Sequence, residues 1–254
     1  MPVKMIATDL DRTLLRTDKT ISEYTALVFR RCREQGIKTV IATARPVRAV
    51  KTLDLNICFD AAVFHNGAVT VIEDKVYSQS GIETEAAKRL LLKAAEIFRD
   101  LQISVEIDDV LYANFDAWTL WKDNSVLTDF NDLPDKPADK IIFGTAESSV
   151  ISEIQKILPD YLYAVTAENR FLMVMHEKAR KRNAVMEIAR HFRLSTHEIA
   201  AFGDDHNDME MLRDCGFGIA VADAVTEARE AAGFICENSD SDGVAKWIED
   251  NVLA

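Results

Sequence analysis

Cysteine is scarce in this chain, and the few thiols form no pattern. Cys32, Cys58, Cys215 and Cys236 include no C-x-x-C pair, and none stands near a histidine at zinc-finger spacing. That excludes a disulfide framework and a structural zinc module, and it predicts reduced, mostly buried thiols in a cytoplasmic protein. Positive charge is also short: 30 Lys and Arg face 42 Asp and Glu, for a net charge of -12. No long Lys/Arg block offers the basic face that a general nucleic-acid binder needs, so no nucleic-acid partner is expected. The acidity predicts a soluble, self-repelling surface, on which an anion binds only where a local metal or basic group overrides the field. There is no apolar run of membrane-spanning length, and no basic segment followed by a long apolar stretch at the N-terminus. Neither a membrane partner nor a signal peptide is expected. No internal repeat or low-complexity tract is present. His176, His191, His197 and His206 match no metal-binding spacing, and His206 reads as an exposed loop histidine.

What remains is ample material for a core. The chain has 254 residues, 48% of them hydrophobic, which permits one large domain or two. Short apolar runs at residues 3–7, 37–42 and 61–64 read as buried parallel strands, separated by a helix over 23–35 with Ser22 as N-cap and Gly36 as stop. Pro46 suits the first turn of another helix. A hairpin around Glu73-Asp74 follows. Beyond residue 81 the pattern changes: a helix over 82–101, strands in pairs at 103–107 and 110–115, an irregular helical stretch through Trp118 and Trp121 to residue 131, then strand, helix and two strands to about 177. The alternation resumes with a helix over 183–192 and strands at 199–203, 217–221 and 233–236, closing on an amphipathic helix. The expected fold class is α/β, a Rossmann-like doubly wound parallel sheet over 1–81 and 178–254, interrupted by an inserted α+β domain over 82–177.

In such a sheet, ligands bind beyond the carboxyl ends of the strands. Four polar clusters fall there: Asp9 and Asp11; Thr43 and Arg45; His65-Asn66-Gly67; and Asp204, Asn207 and Asp208. Two carboxylates where a buried strand ends need compensation, and a hard cation such as Mg²⁺ provides it while keeping positions open for a phosphate. Asp204 and Asp208, at i and i+4 around a strand-to-helix turn, can join Asp9 in an all-oxygen metal site. Equally, each cluster by itself reads as an Asp-rich turn or an acidic helix start. Lys181 opens a helix inside the basic run 178–182. It is the candidate fixed cation for a phosphoryl site, with Lys178 as the fallback, although that run alone reads as a solvated basic face.

Asp9-Leu10-Asp11-x-Thr13-Leu14-Leu15, Thr43, Lys181-x-x-Ala184-Val185 and Gly203-Asp204-x-x-Asn207-Asp208 stand in the order of four motifs. With them the chain resembles the haloacid-dehalogenase-like phosphatases, in particular the Cof-type branch with a large cap inserted after the third strand. Asn66-Gly67-Ala68 and Asp242-Gly243-Val244-Ala245 are also similar to strings of that branch. The resemblance implies that Asp9 attacks phosphorus and forms an aspartyl-phosphate, while Asp11 acts as acid and then base. It implies Mg²⁺ on Asp9, Asp11 through its backbone carbonyl, and Asp204, with Asp208 either a direct ligand or a partner of one. Thr43, Lys181 and Asn207 would grip the phosphoryl oxygens, and Arg45 and Asn66 would reach the substrate nearby. The sequence departs from the family pattern at Arg12, where glycine is most common, at Ala44, where glycine often precedes the arginine, and at Asp223, where asparagine is common.

The expected substrate is a small phosphorylated metabolite, such as a sugar phosphate, selected by the insert. Phe115, Trp118 and Trp121 would either stack on its ring or pack the insert. The alternatives are a phosphomutase or phosphotransferase using the same aspartyl-phosphate, and a phospho-ligand sensor without activity. A monomer or a homodimer is compatible with the sequence.

Overall fold

The computed structural model describes residues 3–167 and 170–254, which form two compact units: 1–79 with 180–254, and 80–179. Unit 1 begins with β1 (Met5–Thr8), every residue of it buried. The helix α1 (Glu23–Glu34) starts where Ser22 accepts a hydrogen bond from the Thr25 amide, and stops before Gly36, which takes the left-handed φ of 76°. Then come β2 (Lys38–Ala42), the short α2 (Val47–Lys51) with Pro46 at its N-cap, and β3 (Ala61–Phe64). β4 (Val69–Ile72) and β5 (Lys75–Gln79) form a hairpin. Its turn residues Glu73 and Asp74 both have positive φ, as a two-residue turn matched to strand twist requires.

Unit 2 carries α3 (Thr84–Ile97), β6 (Ile103–Ile107), β7 (Val110–Ala113), α4 (Trp118–Trp121), β8 (Ser125–Leu127), β9 (Ala138–Phe143), α5 (Ser148–Lys156), β10 (Leu162–Ala167) and β11 (Phe171–His176). Its six strands run in the order β10-β11-β9-β6-β7-β8, antiparallel except for the β7–β8 pair. The helical stretch expected through residue 131 is in fact one turn followed by an edge strand. Lys122, at φ 53°, ends the helix, and three residues of β8 are too few to show an alternation. Trp121 packs between Phe115 and Phe171, with ring centroids 5.9 and 5.3 Å away. Trp118 is half exposed.

The chain returns to unit 1 with α6 (Lys181–His191), β12 (Ile199–Gly203), α7 (Met209–Asp214), β13 (Phe217–Val221), α8 (Thr226–Ala231), β14 (Phe234–Cys236) and α9 (Gly243–Asn251). The eight strands of this unit are ordered β14-β13-β12-β1-β2-β3-β4-β5, and the six from β14 to β3 are parallel. Strand order proceeds from β1 outward to β2 and β3, then restarts on the other side of β1 with β12. The switch point therefore lies between β1 and β12, where a sheet of this kind opens a crevice at its carboxyl end. Among the described residues, no helix is long and apolar enough to cross a membrane. Cys32, Cys215 and Cys236 are buried, Cys58 is exposed, and all four are free.

Candidate active site

Parallel pairing sets the site. β1 lies between β12 and β2, with Thr8 level with Phe202 and Ile41. The ladder continues one step, as the Asp9 amide donates to the Phe202 carbonyl at 3.0 Å. Asp9 thus stands rigidly just past the strand end, facing the loop after Gly203 on one side and Thr43 on the other. Asp9, Thr43, Lys181, Asp204 and Asp208 are all buried.

Oxygens of Asp9, Asp204 and Asp208 lie within 4.8 Å of one another. Lys181 Nζ donates to Asp9 Oδ1 at 2.6 Å and to Asp208 Oδ1 at 2.7 Å. A lysine in the first turn of a helix opposes the helix dipole, so α6 gains nothing locally from this residue. Its position is explained by the carboxylates. Burial works against its charge, but Asp208 and Asp9 outweigh that and hold the ammonium protonated, above its usual range. Asp208 spends its other oxygen, Oδ2, on the amides of Asp204 and Asp205, at 3.0 and 3.1 Å. That packing needs Gly203: a Cβ there would come within 2.4 Å of the Asp208 Cβ. Asp208 therefore orients the lysine and the loop.

Asp204 is the least compensated of the three. Thr13 Oγ1 donates to its Oδ1 at 3.1 Å, and an Arg12 nitrogen stands 3.8 Å from Oδ2. Burial, followed by the charge of Asp208, pushes its carboxyl up to about 7. Burial also raises Asp9 well above the carboxylate range; Lys181 opposes this, while Asp208 and Asp204 add to it. Three buried carboxylates against one ammonium form an all-oxygen donor set short of positive charge. Such a set suits a hard divalent cation.

Asp11 is placed differently. Its carboxylate points to Arg45, whose Nε and Nη2 reach Oδ2 and Oδ1 at 2.6 and 2.7 Å, and Lys19 Nζ adds a bond to Oδ1 at 2.7 Å. Burial would raise this carboxyl, but the Arg45 and Lys19 hydrogen bonds prevail and hold it down at about 2. Thr43 Oγ1 accepts from the Arg45 amide at 3.1 Å, which folds the loop after β2 back on itself. Asn66, at φ 58°, accepts from Asn207 Nδ2 through its side-chain oxygen at 2.8 Å, so these two expected substrate contacts meet each other. Lys178 is exposed and lies in unit 2. His206 is exposed and faces Asp205.

Spacing could not reveal two features. Lys19 sits in a polar turn eight residues past Asp11 and carries no signal of its own. Arg12 adopts φ 61°, the left-handed region that explains the family's glycine there. Its guanidinium donates to the Asp223 carbonyl at 3.2 Å and lies 3.7 Å from that carboxylate. Two departures from the family pattern are thus one interaction.

The haloacid dehalogenase-like hydrolase model matches residues 6–248, and the chain belongs to that family. YxeH of Bacillus subtilis is 27% identical, with 99% of each chain covered. The 5-amino-6-(5-phospho-D-ribitylamino)uracil phosphatase YitU, also of Bacillus subtilis, is 24% identical over 97% of this chain and 96% of its own. Among solved structures, the subclass IIB sugar phosphatase BT4131 superposes with a TM-score of 0.84 at 21% identity, covering 99% of this chain and 100% of that one.

Proposed function

We propose that this hydrolase is a Mg²⁺-dependent phosphatase of small phosphorylated metabolites, working through an aspartyl-phosphate on Asp9. One observation carries the reading: Lys181, buried, bridges Asp9 and Asp208 inside a cluster of three carboxylates at the sheet's switch point. A structural role explains a buried pair, but not a third carboxylate left almost unpaired beside it. Asp9, Asp204 and the Asp11 backbone carbonyl would hold the cation, with Asp208 engaged on Lys181 and the loop amides. When bound, Mg²⁺ supplies charge neutralisation for nucleophile and phosphoryl oxygens.

Lys181 and Thr43 flank the phosphoryl position. An Asp9 oxygen forms a bond to phosphorus as the bond to the leaving oxygen breaks, and that oxygen takes the departing electron pair and a proton from Asp11. Water then attacks phosphorus and gives its proton to Asp11, and the Asp9–phosphorus bond breaks. Asp11 is held ionised without substrate, which suits the second step. For the first step, the substrate's phosphoryl charge competes for Arg45 and raises the Asp11 carboxyl. Substrate selection we assign to unit 2. YitU and BT4131, matched along nearly their whole length, act on phosphorylated small molecules by their names, which supports the substrate class.

The test is Mg²⁺-dependent phosphate release from a panel of phosphorylated metabolites. Wild type should turn over at least one, and Asp9→Asn should lose it by at least about a thousandfold, as expected of a removed nucleophile. Activity that survives this substitution would overturn the mechanism. Transfer of the phosphoryl group to a second hydroxyl in place of water would identify a mutase or phosphotransferase.

A further inference from the structure

The string beginning at Asp242 and the turn at residues 16–20 have no part in the chemistry above, yet both lead to Asp11. The Arg16 amide donates to the Thr20 carbonyl at 3.0 Å and the Lys19 amide to the Arg16 carbonyl at 2.9 Å, closing a tight turn with Lys19 at φ 68°. Two acids beside the start of α9 brace that turn. Asp240 accepts from the Thr17 amide at 2.8 Å and from its hydroxyl at 2.7 Å, and Asp242 accepts from an Arg16 nitrogen at 2.7 Å and from the Thr25 hydroxyl at 3.1 Å. Asp242 itself takes φ 56° to open α9. A flexible, half-exposed lysine would ordinarily lose much rotamer freedom to hold one carboxylate. Here the backbone beneath it is already fixed from two sides.

The second half of the argument is the count of lone pairs. Each carboxylate oxygen offers two. Asp11 Oδ1 receives both Lys19 Nζ and Arg45 Nη2, and is filled. Asp11 Oδ2 receives Arg45 Nε alone and keeps one open position. Lys19 is thus one of the two donors that fill Oδ1 and leave the open position on Oδ2.

We propose that Lys19, on the turn braced by Asp240 and Asp242, is the positioning residue for Asp11. It holds Oδ1 so that Oδ2 is presented for proton exchange with the leaving group. The proposal rests on the acid/base reading of Asp11, and the experiment separates the two. Wild type, Lys19→Met, Lys19→Arg, Asp240→Asn and Asp9→Asn are compared on an alkyl phosphate turned over by wild type and on p-nitrophenyl phosphate, whose phenolate leaves without a proton. The readout is kcat/KM, which ends at the phosphorylation of Asp9, before water is activated.

For the alkyl phosphate, Lys19→Met should lose about 30-fold, a fraction of the 10²–10⁴ that acid–base catalysis contributes. For p-nitrophenyl phosphate the loss should stay below about threefold, the size of an indirect effect on a step that needs no acid. Inhibition by inorganic phosphate should be unchanged. Lys19→Arg should recover most of the loss, and Asp240→Asn should reproduce it in weaker form, without touching Lys19. Equal losses on both substrates, or weakened phosphate inhibition, would make Lys19 a phosphate-binding group and overturn the proposal. So would no loss on either substrate. If Lys19→Met fails to fold, Asp240→Asn decides by the same ratio. Activity in Asp9→Asn would instead remove the mechanism on which the proposal rests.

Discussion

Removing one carboxylate from the centre of this site should make the metal-free protein more stable. Asp204 is buried, accepts from the Thr13 hydroxyl, and has its carboxyl pushed up to about 7 from an ordinary 3.8. A carboxyl raised by folding binds its proton more tightly in the native state. Its favourable contribution is complete below pH 4 and is lost as pH rises toward 7. The slope is about 1.4 kcal/mol per pH unit, so the whole window amounts to roughly 4 kcal/mol. Asp204→Asn keeps the shape and removes the titration. In EDTA, the two proteins should unfold alike near pH 4. The variant should gain with pH and level off above pH 7, where roughly 4 kcal/mol corresponds to about 8 °C or more for a chain of this size. Saturating Mg²⁺ at pH 8 should close that gap, because wild type alone keeps the full set of proposed ligands; a ligand at 1,000 times its Kd adds about 4.1 kcal/mol. Thermal unfolding at pH 4, 5.5, 7 and 8, with EDTA or Mg²⁺, measures both effects. A wild type as stable as the variant in EDTA at pH 8, or a gap that ignores pH, would refute the claim that Asp204 is an uncompensated charge awaiting a cation.

Three further substitutions test the structure. Lys181→Met strands Asp9 and Asp208, so it should destabilise the metal-free protein by about 3 kcal/mol at pH 8 and less at pH 5.5, and should lower kcat by at least about 10²-fold. Urea unfolding and phosphate release check the two parts separately. Gly203→Ala drives a methyl into Asp208 and should cost about 1–3 kcal/mol together with most of the activity. Gly36→Ala, which meets nothing within 4 Å and suffers only its positive φ, should cost about 1 kcal/mol and leave kcat unchanged.

Much of this protein is legible in its sequence because its cues are local. Apolar runs ending in Asp9, Thr43 and Asp204 declare strands whose carboxyl ends carry polar groups, and a parallel sheet covered on both faces tolerates few other residues. Ser22 and Gly36 bound α1 by the hydrogen bonding and backbone freedom that those residue types supply. The hairpin at Glu73-Asp74 follows from residues flanked by alternating strands. A change of period sets off the stretch beyond residue 81. The edge strand β8 has no such cue, since three residues carry no period.

Tertiary structure decided what distance along the chain conceals. Asp9 and Lys181 are 172 residues apart and meet at 2.6 Å because α6 packs on the same sheet as β1, against β2 and β3. That Asp208 orients the lysine, that Arg12 pairs with Asp223, and that Asn66 and Asn207 join each other depends on where loops from distant strands converge. Lys19 is the clearest case. Its sequence neighbourhood is an ordinary polar turn, and only two acids more than two hundred residues away give it a fixed place beside Asp11. Residue types and their periods determine which strands form and what chemistry stands at their ends. The register of a folded sheet determines which charges are forced together, and therefore which must be compensated.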